Sequence, residues 1–341
     1  MAARNEPNDH ADCFEHACRQ GSRVGHADVW VGGRRVAVRY VGERLWAELG
    51  PSLLPAAPGP PDLTLDLWDG SEVALEPTAP PNEEELHVQA DGTRFGLLAG
   101  GALLRHAGPA FDVMFDRSAD RLVGWIDPGR LAPWERLRPL QELFIAALGA
   151  GGRQTFHAAM VSGPGGGVLL PGASGSGKST VSAAVLAAGL NTLGDDAIAV
   201  RFIDGGAVGY ALQAVVKLSL AGIAAYPALA RRGESFVDPL GEERALRFPD
   251  LDGAALAQAS LTAIVFPQLV DVSTARLTPL SASVCAGELL RSLLFVEHER
   301  VADVFALATT LAAEVPAYRL EVGRDPATIV PELGDLLGRA E

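Results

Sequence analysis

The sequence predicts a mixed α/β fold with a β-rich first half and, in its second half, a strand, a glycine-rich loop and a helix in succession. Three observations carry that expectation. Residues 168–180 read VLLPGASGSGKST, a short apolar run, a glycine-rich turn and the opening of an alanine-rich helical stretch. Residues 24–130 hold short alternating runs separated by Gly, Pro and Asp turns. From Trp134 the spacing turns helical, with Leu137, Leu140, Leu143, Phe144 and Leu148 on one face before Gly149.

The 341 residues, 48% hydrophobic and 21% charged, suffice for two globular domains, drawn at 1–132 and 133–341. A formal charge of −14 with no basic run disfavours nucleic acid and anionic membranes as partners. No apolar stretch approaches a membrane span, and the opening MAARNEPNDHADC has no signal core, so the expected location is the cytoplasm. Cys13, Cys18 and Cys285 are too scattered for a disulfide framework. Cys13 and Cys18 lie near His10 and His16, but at no common zinc-finger spacing, so a solvated helix or tail is expected there.

In the first half, the runs VGHADVWV, RRVAVRYV, DLTLDLW, ELHVQA and AFDVMFD read as strands. Gly32-Gly33 and Asp91-Gly92 read as tight turns, and residues 55–61 and 77–85 as loops. His26, His87 and His106 stand alone and are expected to be structural. Residues 135–149 then form one helix that opens the second domain. RQTFHAAMVSGPGGGVLLPG gives two strands, the second feeding the glycine loop, and the helix after the loop runs to Ala188 with Gly189 as its cap. NTLGDDAIAVRF and LTAIVF read as strands, while GELLRSLLFVEH and ADVFALATTLAAEV read as amphipathic helices.

The pattern Gly172, four residues, Gly177, Lys178, Ser179 is that of a P-loop. Glycines let backbone N–H groups curl around phosphate oxygens, and the following helix aims its positive end at the same anion. Gly172, Ser174, Gly175, Ser176, Gly177, Lys178, Ser179 and Thr180 are therefore the expected nucleotide cradle, for ATP with Mg²⁺. Only two of the 28 basic residues are lysines, and one of them is Lys178, where a compact ammonium suits a tight phosphate loop. Asp195 and Asp196, 17 residues after Lys178, are the carboxylates that such chemistry needs for metal and proton. His157 suits either a proton-relay partner or a buried strand residue. Lys217, the other lysine, reads as a counter-ion for phosphate or carboxylate, and Arg231-Arg232 as a solvated pair or an acidic-peptide contact.

In order and spacing, TFHAAMV, GASGSGKST and LGDDAIAV resemble the C-terminal domain of the HPr kinase/phosphorylase family, serine kinases with a fold akin to phosphoenolpyruvate carboxykinase. The resemblance covers residues 134–341 and is strongest over 153–201. It implies a P-loop kinase domain behind a β-rich N-terminal domain, with Asp195 as general base on a serine hydroxyl, His157 assisting, and Asp196 and Ser179 at the metal. The tail VPAYRLEVG is similar to HPr-kinase-like proteins of peptide-modification gene clusters. Thr180 replaces the family's usual acid, the region of QAVVKLSLAG lacks its metal-binding glutamate, and the first half is unlike its N-terminal domain. These departures point to another serine acceptor, in a peptide or protein such as a lasso-peptide precursor. A homo-oligomer is compatible with this reading.

Two alternatives stay open at this level: a small-molecule kinase of the shikimate or gluconate type, and a regulatory nucleotide-binding module. A switch or motor NTPase is disfavoured, since two lysines leave no guanine-recognition motif and no ABC signature is present.

Overall fold

In the computed structural model, residues 9–20, 23–75, 77, 86–88, 92–98, 101–238, 241–294 and 300–338 are described. Helices and three sheets make a mixed α/β protein with two compact units. The first spans the chain up to Ala147 except 31–33 and 52–54, which group with Leu148–Glu341 in the second.

The first unit is built on nine strands: β1 Val24–Val31, β2 Arg34–Val41, β3 Leu54–Pro55, β4 Leu63–Asp69, β5 His87–Val88, β6 Arg94–Leu98, β7 Leu103–Gly108, β8 Phe111–Asp116 and β9 Arg121–Ile126. Their order is β3-β1-β2-β4-β9-β8-β7-β6-β5. The pairs β2–β4 and β4–β9 are parallel, and β5 to β9 follow one another antiparallel. Gly32 and Gly33 take φ of +57° and +76°, the left-handed backbone their turn requires. Of the other turn and loop expectations, Asp91 and most of 77–85 lie outside the described residues, as do the ends of ELHVQA.

Strand alternation gives the sheet two unlike faces. One is aliphatic, with Val36, Val38, Leu65, Leu67, Leu104, Val113, Phe115 and Leu122 almost wholly buried. The other carries a buried charge ladder: Arg39 meets Asp66 at 2.7 and 2.9 Å, Arg121 meets Asp66 at 2.6 Å, and Arg105 meets Asp112 at 2.9 and 2.6 Å. Bidentate pairing is what makes buried carboxylates tolerable in a sheet.

The helix His10–Gln20 covers part of that second face, which corrects the expectation of a solvated segment. Cys13, Phe14 and Ala17 are fully buried against Val41, Trp68, Val73 and Val123. Burial pushes the Cys13 thiol up to about 11, and His10 Nε2 lies 3.2 Å from Asp112 Oδ1. Among the described residues no group of three or more His, Cys, Asp or Glu can hold a metal.

Strands β7 and β9 escaped sequence reading because charged, His and Gly residues interrupt their apolar pattern. Gly124 is needed in β9: a Cβ there would collide with the Asp112 carbonyl oxygen. Gly124→Ala is therefore expected to destabilise the first unit by roughly 1–3 kcal/mol, measured as a lower urea midpoint. A midpoint within error of wild type would mean that β8 and β9 are not held this closely.

Residues 135–149 form no single helix. The helix Pro133–Leu137 ends before Pro139, Leu140 takes a left-handed φ of +55°, and a second helix, Gln141–Ala150, follows. Leu143, Phe144 and Ala147 are nearly inaccessible, and this helical stretch groups with the first unit up to Ala147, so the contact boundary falls later than residue 133.

The second unit has β10 Gln154–Phe156, β11 Ala158–Gly163, β12 Gly166–Pro171, β13 Asn191–Gly194, β14 Ile198–Ile203, β15 Gly206–Ala211, β16 Val216–Leu218, β17 Glu234–Asp238, β18 Gly241–Leu246, β19 Gln258–Leu269, β20 Arg276–Pro279 and β21 Ala317–Val322. The large sheet runs β10-β14-β15-β19-β12-β11-β13, with β21 on β19 and β20 on β21, while β16-β18-β17 form a small separate sheet. Strand β12 is parallel to β19, and β19 to β21. The helix Lys178–Ala187 packs Val181, Ala184 and Val185 into an apolar layer with Val168, Leu170, Val265, Leu320, Ile329 and Leu333.

Three sequence-derived elements are corrected. TFHAAMV is two strands, β10 and β11, with His157 between them; β10 joins β14, whereas β11 joins β12 and β13. NTLGDDAIAVRF is likewise two strands, broken where Gly194 takes a φ of +120° beside the Gln213 carbonyl. The helix read over 287–298 is instead Ala282–Arg291, after which Leu293 bridges Phe156; residues 295–299 lie outside the described ones. No helix among the described residues is long and apolar enough to cross a membrane.

Candidate functional site

The site forms at the end of β12, where the chain leaves the sheet at Pro171 and re-enters regular structure at Lys178. Gly175 and Gly177 take φ of +78° and +111°, so the loop needs glycine at both turns. A Cβ on Gly177 would also meet Leu269 Cδ2 at 3.3 Å. Ser174 and Gly175 form the exposed tip, and Thr180 lies in the first helical turn.

Lys178 is 6% exposed and folds back over the loop, its Nζ donating to the carbonyls of Gly172 and Ala173 at 2.8 and 2.9 Å. Burial lowers its pKa, and the nearby Asp195 and Asp196 work against that fall. Two carbonyl contacts are ones a stronger anion can displace, which leaves the ammonium poised over the loop.

Gly194 ends β13 and turns the chain so that Asp195 and Asp196 lie at the loop between β13 and β14. Asp195 Oδ2 accepts from Ser179 Oγ at 3.0 Å and from the Lys217 backbone N–H at 2.8 Å. Asp196 Oδ1 lies 3.1 Å from Lys217 Nζ. Asp195 is 2% exposed, and its pKa is pushed up to about 6, first by burial and next by Asp196. Lys217 and the bonds from its own N–H and from Ser179 moderate the rise. Thus Ser179 joins Asp195 rather than Asp196 in this ligand-free geometry, and Lys217 is the counter-ion of Asp196.

His157 enters through its backbone. Its carbonyl accepts from Gly172 N–H at 3.2 Å, and its N–H donates to the Ser292 carbonyl at 2.6 Å. The residue therefore sits at the base of the loop, in the break between β10 and β11. Arg232 lies elsewhere, 2.8 Å from Asp252 and bonded to the Asp250 carbonyl, while Arg231 is exposed.

Two buried polar atoms of this cluster have no hydrogen-bond partner among the described residues: Asp195 Oδ1 and Ser176 Oγ. Orphaned oxygens at a glycine loop, beside a lysine and two carboxylates, fit a hydrated divalent cation and phosphate oxygens. Sequence reasoning missed the Lys217 backbone N–H, since no side-chain pattern encodes a main-chain donor brought in by another strand.

No protein-family model matches the chain, and no curated protein matches it. Among solved structures, the Hpr(Ser) kinase/phosphatase from Coxiella burnetii is similar to 54% of this chain and to 88% of its own, at 16% identity. The TM-score is 0.28, so this likeness carries no argument about the reaction.

Proposed function

We propose that the chain is an ATP-dependent phosphotransferase that phosphorylates a serine hydroxyl of a peptide or protein. The observation that carries this reading is the chain of contacts from Ser179 through Asp195 to Lys217 and Asp196, near Lys178 on the glycine loop. Bound MgATP would supply a phosphoryl group with its charge partly neutralised by the metal.

The residues divide the remaining work. Backbone amides of the loop other than those of Gly172 and Ser176, which are bonded within the protein, hold phosphate oxygens, and Lys178 leaves its two carbonyls for them. Ser179 gives its hydroxyl hydrogen to Asp195, which leaves oxygen lone pairs for a metal, and Asp196, fixed by Lys217, is the second metal-side carboxylate. Asp195 Oδ1 is the atom to take the hydroxyl proton, since Oδ2 is already committed and the raised pKa favours proton acceptance near neutrality. His157, whose carbonyl holds the Gly172 N–H, has the role of assisting Asp195. The division into a β-rich acceptor-recognition domain and an HPr-kinase-like domain belongs to the same proposal, as does a cytoplasmic location.

The reading is tested by incubating the protein with γ-labelled ATP, Mg²⁺ and three acceptor sets: serine peptides, free serine and polyols. Label in phosphoserine of a peptide is the expected result. Label confined to free alcohols would replace it with a small-molecule kinase, and nucleotide binding with no transfer to any acceptor would leave a regulatory module.

A further inference from the structure

Lys217 reaches both carboxylates of the glycine-loop cluster. Its backbone N–H donates to Asp195 Oδ2 at 2.8 Å, and its ammonium lies 3.1 Å from Asp196 Oδ1. The strand that carries it fixes this geometry. In β16, Val216 and Leu218 are buried on one face, so alternation sends Lys217 to the other, and β18 holds the strand by pairing Ala245 with Lys217. The chain just before β16 also anchors the aspartate loop, since the Asp195 N–H donates to the Val215 carbonyl at 3.1 Å. Slipping β16 by one residue would turn the lysine into the core and take both donors from the aspartates.

The charges of the cluster balance in pairs. Lys178 and Lys217 are the chain's two lysines, and Asp195, Asp196 and Lys217 all act electrostatically on Lys178. The Lys217 and Asp196 side chains are only 22% and 16% exposed, so water screens their attraction in part. One Mg²⁺ enters such a site on the nucleotide's own phosphates and needs one or two carboxylates from the protein. A further ion would have to be held by the same two aspartates, against the repulsion of an ammonium already paired with Asp196. Among the described residues no third His, Cys, Asp or Glu joins them to offset that repulsion.

We propose that Lys217 serves the phosphotransfer site as a built-in cation in place of a second divalent ion, so that nucleotide binds with a single Mg²⁺. The inference rests on the nucleotide-binding reading above and adds to it the metal count and the residue that sets it. Lys217 is a positioning residue: it acts through the two aspartates, orienting Asp195 by its backbone N–H and neutralising Asp196 by its ammonium. A compact, singly charged group on a flexible stem can do both from one strand position.

Mn²⁺ titration of the full chain saturated with the non-hydrolysable ATP analogue AMPPNP, followed by electron paramagnetic resonance, counts the ions. Wild type and Lys217→Arg should each bind one Mn²⁺ per complex. Lys217→Glu, which exchanges the cation for a third carboxylate, should bind two and show the spectral broadening of neighbouring ions. Lys217→Met keeps the test decisive if the charge reversal fails to fold. Its AMPPNP affinity should fall about tenfold at low free Mg²⁺ and recover in excess, whereas wild type should gain nothing from the excess. Two ions in wild type overturn the inference alone. So does a Lys217→Met affinity equal to wild type at every Mg²⁺ concentration, or a folded Lys217→Glu protein with a single ion. No AMPPNP binding by wild type would remove the underlying nucleotide reading as well.

Discussion

Asp195→Asn is expected to abolish phosphate transfer while leaving the ligand-free protein as stable as wild type, or more stable, at neutral pH. The amide keeps the shape and keeps an oxygen for Ser179 Oγ and the Lys217 N–H, so the loop stays assembled. It cannot take a proton, and loss of a positioned base lowers the rate by about 10²–10⁴-fold. The stability effect has the opposite sign. The folded-state pKa of Asp195 is raised to about 6, above an unfolded value of 3.8, so the folded protein binds this proton more tightly. That stabilisation is fully present below the unfolded value and is lost as pH rises through about 6. Above that, the buried carboxylate costs about 3 kcal/mol at the most, a term the amide removes. Thermal melts of the ligand-free proteins at pH 3.5 and pH 8 check this: the variant should gain on wild type at pH 8 and hardly at pH 3.5, with a partial gain between the two values. A variant that melts earlier at pH 8 would make Asp195 a structural anchor, and one with wild-type transfer would remove it from the proton path.

What could be read from the residues, and what could not, follows from the range of the interactions involved. The glycine loop was legible because its constraints are local: left-handed glycines, a lysine and a helix start within a dozen residues. The strands β1, β2, β4 and β8 were legible from alternating apolar and polar residues bounded by turn residues. The break at His157 and the turn at Gly194 were not, because each depends on a strand changing partners within the sheet. The burial of the helix His10–Gln20 was missed for a related reason. Its short apolar face, Cys13, Phe14 and Ala17, looks negligible until Trp68 and Val123 arrive from residues far along the chain. Arg105 and Asp112 read singly as ordinary surface charges, and only the register of β7 against β8 brings them together.

Lys178→Met should have the second large effect, and for a separable reason. Its buried ammonium sits on two carbonyls, and burial holds its pKa below the ordinary lysine value. A lysine with a depressed folded-state pKa is protonated more readily in the unfolded chain. The ligand-free protein therefore gains stability as pH rises from the folded value toward the unfolded one, and bears the desolvation penalty below the folded value. Methionine has nearly the same length and no charge to desolvate, so the ligand-free variant should melt at or above the wild-type temperature at pH 7. Its nucleotide affinity should fall by roughly 10–100-fold, the worth of one charge-assisted contact to phosphate, and transfer by a further factor because the same ammonium stabilises charge developing in the transition state. Lys178→Arg should rescue neither function, since a planar guanidinium cannot replace a compact ammonium between the Gly172 and Ala173 carbonyls. Titration with a fluorescent ATP analogue, alongside the melt, separates the outcomes. Unchanged nucleotide affinity in Lys178→Met would mean that the loop holds its anion through backbone amides alone, and the lysine would then have to be reassigned to holding the empty loop closed.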